Sequence, residues 1–206
     1  MEQARRPKLR DLPREERYEM YFKIEYQHAL DDFIRVLGME EHYKVRVRQI
    51  YRWECVYMNF LSRILKEHTG IYNSPSLSVL KEQIEGCGLE CELACEDLYY
   101  TPQVGMKYDC VKFTVGGIRF TLVNDWLWSM HSLSISKTMQ QIDGALLRMP
   151  ASVLIECIRD SIPFIPRIKE LAEDAERQAP AVAMVRRIRR MTKKNVSLQD
   201  SSDTKV

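Results

Sequence analysis

The chain has 206 residues, 45% of them hydrophobic, and a formal net charge of +2. A chain of this length can bury a core without disulfides or metals. A net charge so close to zero excludes both a polyanion and a uniformly basic protein that coats nucleic acid. No run of residues approaches the about 20 apolar residues that a membrane-spanning helix needs.

The first predicted elements are a polar arm and two helices. Residues 1–12 are polar and contain proline, which predicts a flexible arm. Apolar residues then recur at helical spacing over 13–37 and again over about 40–68, and Gly38 and Gly70 end the two patterns. The short break at 38–39 predicts an antiparallel helical hairpin over 13–69.

The middle third changes from helical to alternating periodicity. A short helix is predicted over about 76–85, followed by a strand in which Leu89, Cys91, Leu93 and Cys95 form a buried face. Two further alternating runs flank Gly116-Gly117, which predicts a two-residue hairpin because both glycines can take a positive φ. The register pairs Val115 with Ile118, Phe113 with Phe120 and Val111 with Leu122, and we expect helices to cover this face.

The C-terminal third is predicted to be helical. Helices are expected over about 136–148, over 151–161 and from 167 to about 194, with Pro180 either restarting or kinking the last one. Residues 195–206 are polar and predict a disordered tail. The sequence therefore predicts one helix-rich α+β domain over 13–194, made of the helical hairpin, a part with a small three-stranded antiparallel sheet (70–149) and C-terminal helices (150–194).

The order of elements over about 76–149 is similar to that of a double-stranded-RNA-binding domain. That family opens its second helix with a lysine cluster, whereas this segment offers only Lys137, and the first strand carries Glu90, Glu92 and Glu96. Topology alone does not assign a function, so the sequence identifies no family.

Residue types that carry chemistry do not form a recognisable site. Cys87, Cys91 and Cys95 are spaced four apart, but two of them fall on the predicted buried face, where cysteine acts as a small apolar residue. The four histidines show no paired metal-ligand spacing, and phosphate-binding and nucleophile motifs are not found. We therefore expect no metal, no cofactor and no catalytic residue, unless a pocket assembles in three dimensions near His131, in a predicted loop, or near Cys110.

Cysteine use also bears on the compartment. Residues 1–7 lack the apolar core of a secretory signal. Six cysteines without such a signal favour free thiols. The expected location is therefore the cytoplasm.

Cationic clusters provide the strongest functional indication. Residues 185–194 hold six cations and no acid, with apolar residues along one side of the predicted helix. A smaller cluster lies in the first part of the second predicted helix of the hairpin, and a third lies on the arm. The residues expected to contact phosphates are Arg186, Arg187, Arg189, Arg190, Lys193 and Lys194, together with Lys44, Arg46, Arg48 and Arg52.

Two functional hypotheses follow from these patterns. The first is a non-enzymatic nucleic-acid-associated protein whose basic C-terminal helix contacts phosphates without sequence specificity. The alternative is a protein-interaction or regulatory module, as a homodimer or with another protein, that uses the aromatic-rich N-terminal helices. The aromatic residues concerned are Tyr18, Tyr21, Phe22, Tyr26, Tyr51, Trp53, Tyr57 and Phe60.

Overall fold

The computed structural model describes residues 8–37, 52–68, 76–97, 107–125, 130–135 and 149–202. Its helices are α1 (Arg14–Leu37), α2 (Trp53–Lys66), α3 (Leu77–Gly86), α4 (Ala151–Ser161) and α5 (Ile165–Ser202), and its strands are β1 (Cys91–Asp97), β2 (Lys107–Val115), β3 (Ile118–Asp125) and β4 (Met130–Ile135). The protein is thus a helix-rich α+β structure with a small antiparallel sheet, as the sequence predicts. None of the helices in these ranges is long and apolar enough to cross a membrane.

Helices α1 and α2 run antiparallel. Near the start of α1, Arg17 Nε lies 3.0 Å from Oε1 of Glu67, just after α2, and further along α1 Glu25 pairs with Arg63. The two helices therefore form the predicted hairpin. The start predicted for the second helix, near residue 40, lies outside the described residues, which resume at Arg52.

The predicted β-hairpin is confirmed in position, turn and register. Strands β2 and β3 pair Val115 with Ile118, Phe113 with Phe120 and Val111 with Leu122. Gly116 and Gly117 both have positive φ, 56° and 79°, which only glycine adopts at low cost. Local turn chemistry and strand alternation are enough to specify this element.

The sheet has four strands in the order β1-β2-β3-β4. Its first three strands are the predicted ones, and β4 adds to the free edge of β3. His131 lies within β4, opposite Asn124, and so the prediction that it sits in a loop is wrong. The fourth strand also departs from the three-strand order of a double-stranded-RNA-binding domain. The helix predicted over 136–148 lies outside the described residues.

One face of the sheet carries the core. Val111, Phe113, Phe120 and Leu122 are at most 2% exposed, and α2, α3 and α4 pack against the sheet. The prediction that helices cover this face is therefore confirmed for β2 and β3. It fails for the far half of β1, where Leu93 is 53% exposed, because α3 contacts this edge strand near its start, at Cys91.

The C-terminal helices follow the predicted breaks at their start. A 3-10 helical turn, Ile162–Phe164, separates α4 from α5. Helix α5 then continues without interruption for 38 residues through Pro180 and past Lys194 to Ser202, further than the sequence predicts. At ~1.5 Å per residue it is about 57 Å long, roughly the length of three ordinary helices.

Candidate nucleic-acid interface

The first half of α5 is a buried helix. Ile168, Ala172, Ala175 and Ala179 recur at helical spacing and are 6% exposed or less. They lie on the side that packs against α1, and the small alanines let the two backbones approach closely. After Ala179, every described side chain of α5 is half-buried or exposed.

The buried side of α5 becomes cationic in its second half. Arg186 lies seven residues, about two helical turns, beyond Ala179 and is therefore on the same side of the helix. Arg190 and Lys193 follow at the same helical spacing. Arg186 Nη2 lies 2.9 Å from Oδ1 of Asp31 on α1. The body therefore fixes the rotation of the distal segment, which we define as residues 181–193.

Most of the cations of the distal segment are free. The side chains of Arg187, Arg189, Arg190 and Lys193 are exposed. Among the described residues none of the four forms an ion pair, in contrast to Arg186. Four cations without counter-charge on one short helical stretch give a concentrated positive surface, to which phosphates are attracted.

An open cleft separates the end of α1 from the distal segment. Its volume is about 1090 Å³, large enough to admit groups such as a phosphodiester. It holds two carboxylates and four guanidiniums, so its charge is positive despite the acids. The lining residues are Asp31, Asp32, Ile34 and Arg35 of α1 and Ala183, Met184, Arg186, Arg187 and Arg190 of α5.

The opposite side of the distal segment is apolar and uncovered, with Met184 at its border with the cleft. Met184, Val185, Ile188 and Met191 are 66%, 47%, 52% and 59% exposed. The rest of the described chain exposes only three comparably large apolar side chains, Met20, Val79 and Leu93, each in a different element. The sequence indicates an apolar side here, but not that it faces away from the body.

The remaining predicted phosphate contacts are not brought to this surface by the described residues. Arg52 is exposed just before α2, and its neighbour Trp53 packs against Lys169, whose Nζ lies 4.5 Å from the ring centroid. Lys169 and Arg186 are about 25 Å apart along α5. Lys44, Arg46 and Arg48 lie outside the described residues, as does the side chain of Lys194.

The sequence did not predict the acidic residues that lie beside the cations of the distal segment. The nearest preceding acid in the sequence, Glu176, is ten residues before Arg186, yet the fold supplies Asp31 from α1. The i,i+3 pair of Asp32 with Arg35, whose Oδ1 and Nη2 are 3.3 Å apart, adds a second acid at the cleft. Only the parallel packing of α1 and α5 reveals these partners.

Three of the six thiols, those of Cys55, Cys110 and Cys157, are buried. Burial raises the pKa of Cys55 and of Cys157 to about 11, so both stay protonated at neutral pH. Cys110 is 1% exposed and packs with Val123 on the second face of the sheet.

The spaced cysteines do not form a metal site in the described part of the chain. Cys87 and Cys91 are half-buried and Cys95 is exposed, so the prediction of a buried face fails for Cys95. No group of three potential ligands comes together within the described ranges. The thiol of Cys91 donates instead to the carbonyl of Lys81 at 3.5 Å.

The aromatic side chains of the hairpin fill the core. Tyr18, Tyr21 and Phe22 of α1 are at most 8% exposed, and Tyr57 and Phe60 of α2 are fully buried. Phe22 and Phe60 pack edge to face with centroids 5.3 Å apart. These five residues are therefore not exposed to a partner. Of the other three aromatic residues of the alternative hypothesis, Tyr26 and Trp53 are half-buried and Tyr51 lies outside the described residues.

Comparison of the chain with protein-family models, curated proteins and solved structures gives no match. The functional argument therefore depends on the geometry and chemistry of the distal segment.

Proposed function

We propose that this protein associates with nucleic acid through the phosphates, using the cationic side of the distal segment. The observation that supports the proposal is the set of four exposed cations that form no ion pair with any residue in the described ranges, Arg187, Arg189, Arg190 and Lys193. Guanidinium groups donate two parallel hydrogen bonds to a phosphate, which makes arginine well suited to this contact.

The expected binding is independent of base sequence. The distal segment offers cations but few of the amide side chains that read base edges, so its contacts position the backbone rather than specify bases. Each phosphate neutralised on duplex DNA contributes about −0.9 to the slope of log affinity against log salt. Four such contacts predict a slope of roughly −3 to −4.

The test is fluorescence anisotropy of labelled duplex DNA, duplex RNA and single strands, titrated with full-length protein at low and moderate salt. The informative variant replaces Arg187, Arg189 and Arg190 by glutamine. The matched control replaces Lys8, Lys23 and Arg119, which are exposed elsewhere and remove the same charge. We expect the first variant to flatten the salt slope by about 2 to 3, and the control to bind nearly as the wild type does.

Three outcomes would contradict the proposal. If the protein binds no nucleic acid even at low salt, the proposed function is wrong. Equal loss in both triple variants shows that only net charge matters, and the assigned surface is then wrong. Binding that survives removal of residues 185–206 also excludes the distal segment as the site.

A further inference from the structure

The outward side of the distal segment has no role in binding phosphates. Met184, Ile188 and Met191 are more than half exposed, and phosphate oxygens gain nothing from apolar contact. Contiguous exposed apolar side chains on a folded protein mark an interaction surface. This side therefore calls for an occupant of its own.

The apolar side has the form of a narrow seam. Met184, Ile188 and Met191 are spaced by four and then three residues, the spacing of the contact positions in a coiled coil. Ile188 lies nine residues, about two and a half turns, beyond Ala179, so it points away from α1. We call these three residues the outward seam.

One flank of the outward seam is cationic. Arg187 precedes Ile188 and is rotated from it by about 100°. It holds the place of a flanking charged residue in a coiled coil, where such residues select the charge of the partner, whereas Arg189 lies further round the exposed helix. No aspartate or glutamate occurs from residue 177 to residue 199.

This charge pattern decides among the occupants. A second copy would bring two cationic segments without acids side by side, which is unfavourable. A lipid surface takes a broad apolar face with bulky Trp, Phe or Leu side chains, whereas residues 181–193 contain none of these. A helix with a matching apolar seam and acidic flanks satisfies both the apolar contact and the charges.

We propose that the outward seam docks an acidic amphipathic helix of a partner protein. The partner helix packs apolar side chains against Met184, Ile188 and Met191 and pairs a flanking carboxylate with Arg187. The two methionines are flexible and adapt to the partner's side chains. The proposal goes beyond nucleic-acid association and does not depend on it, because Met184, Ile188 and Met191 contribute nothing to phosphate contacts and Arg187 can serve either surface.

The experiment uses full-length protein and three labelled synthetic helical peptides followed by anisotropy. The first has leucine at the seam positions and glutamate at the flanks. The second carries lysine at the flanks, and the third is a scrambled version of the first with the same composition but no seam. We expect saturable binding of the first peptide, with the other two at least about tenfold weaker, a difference typical of charge and pattern selection.

The protein variants separate the seam from general surface effects. Met184→Gln, Ile188→Gln and Met191→Gln together should weaken binding of the acidic peptide at least about tenfold, while circular dichroism and thermal unfolding stay unchanged because the side chains are exposed. The matched control replaces Met20, Val79 and Leu93, the other exposed apolar residues, and should bind normally. Nucleic-acid binding should be the same in both variants.

Four results would overturn the proposal. The scrambled peptide binding as tightly as the patterned one shows charge attraction alone, and an unaffected seam variant excludes the seam. Concentration-dependent dimerisation in light scattering, abolished by the seam substitutions, assigns the seam to a second copy. Binding to vesicles of phosphatidylserine and phosphatidylcholine, abolished by the same substitutions, assigns it to lipid.

Discussion

Arg186 of α5 and Asp31 of α1, 155 residues apart in the sequence, form an ion pair with Nη2 and Oδ1 2.9 Å apart. Both side chains are about half exposed, and an ion pair of this kind contributes only about 0–1 kcal/mol to stability. Its main consequence is electrostatic, because it neutralises one cation of the distal segment.

Replacing Asp31 by asparagine should strengthen nucleic-acid binding. The released Arg186 adds one phosphate contact, which steepens the salt slope by about 1, while the free energy of unfolding changes by less than about 1 kcal/mol. The measurement is the anisotropy titration across a salt series. Asp32→Asn removes the same charge but releases Arg35, and equal effects of the two variants would contradict a specific role for Arg186.

Glu25→Gln should destabilise the helical hairpin. Glu25 is 5% exposed and pairs with Arg63 of α2. Loss of the Glu25 charge leaves the Arg63 guanidinium without this counter-charge. We expect the free energy of unfolding to fall by about 2–3 kcal/mol. This is less than the usual cost of breaking a buried pair, because the Arg63 side chain is 30% exposed. Urea unfolding measures it. The exposed Glu19→Gln on the same helix is the control, and a difference below about 0.5 kcal/mol between the two would refute the expectation.

The two turn glycines should respond unequally to alanine. Both have positive φ, which costs an alanine about 1–2 kcal/mol. A Cβ on Gly116 would also lie 2.6 Å from Cδ1 of Ile162, whereas a Cβ on Gly117 meets open space. Thermal unfolding should show Gly116→Ala as the less stable variant, and Ile162→Val in the same chain should narrow the gap. Equal stability of the two alanine variants would show that Ile162 moves aside at no cost.

Ionisation of Tyr57 should lower the free energy of unfolding at alkaline pH. Burial raises its pKa to about 12, although the hydrogen bond with Ser161 opposes this shift, while in the unfolded chain it ionises near ~10. The folded state therefore holds the proton more tightly. The stabilisation from Tyr57 is complete below about pH 10 and falls by up to ~1.4 kcal/mol per pH unit as the pH rises toward 12.

Tyr57→Phe is the variant that isolates this effect. At neutral pH it should be less stable than the wild type by about 1 kcal/mol because it loses the hydrogen bond. The difference should shrink and then reverse above about pH 10. Urea unfolding over an alkaline pH series measures it, and a constant difference would contradict the assignment.

Sequence patterns predicted those elements that are specified by neighbouring residues alone. Gly116-Gly117 and the six alternating residues around it specify the hairpin without reference to the rest of the chain. Strand β4 offers a weaker signal, since Leu133 and Ile135 are its only branched apolar residues and become buried only beside β3. Likewise, alternation predicts a strand at Leu93 but does not tell that this strand is at the edge of the sheet.

The candidate site could be predicted in composition but not in orientation. The run from Arg186 to Lys193 is evident in the sequence. Which side of that helix faces solvent depends on Ala172, Ala175 and Ala179, whose burial against α1 is a long-range property. The pairing of Arg186 with Asp31 depends on the same packing.

The unbroken helix α5 couples the rotational phase of its two halves. Its first half is fixed on α1 by buried side chains, so the second half cannot turn independently without breaking backbone hydrogen bonds. Each residue advances the helix by about 100°. A single alanine inserted after Pro180 would therefore place Val185 where Arg186 faces Asp31 and Arg190 where Met191 faces outward, changing what the surface presents with almost the same composition. In this protein the number of residues in the buried half of α5 therefore determines which side chains of the distal segment face solvent.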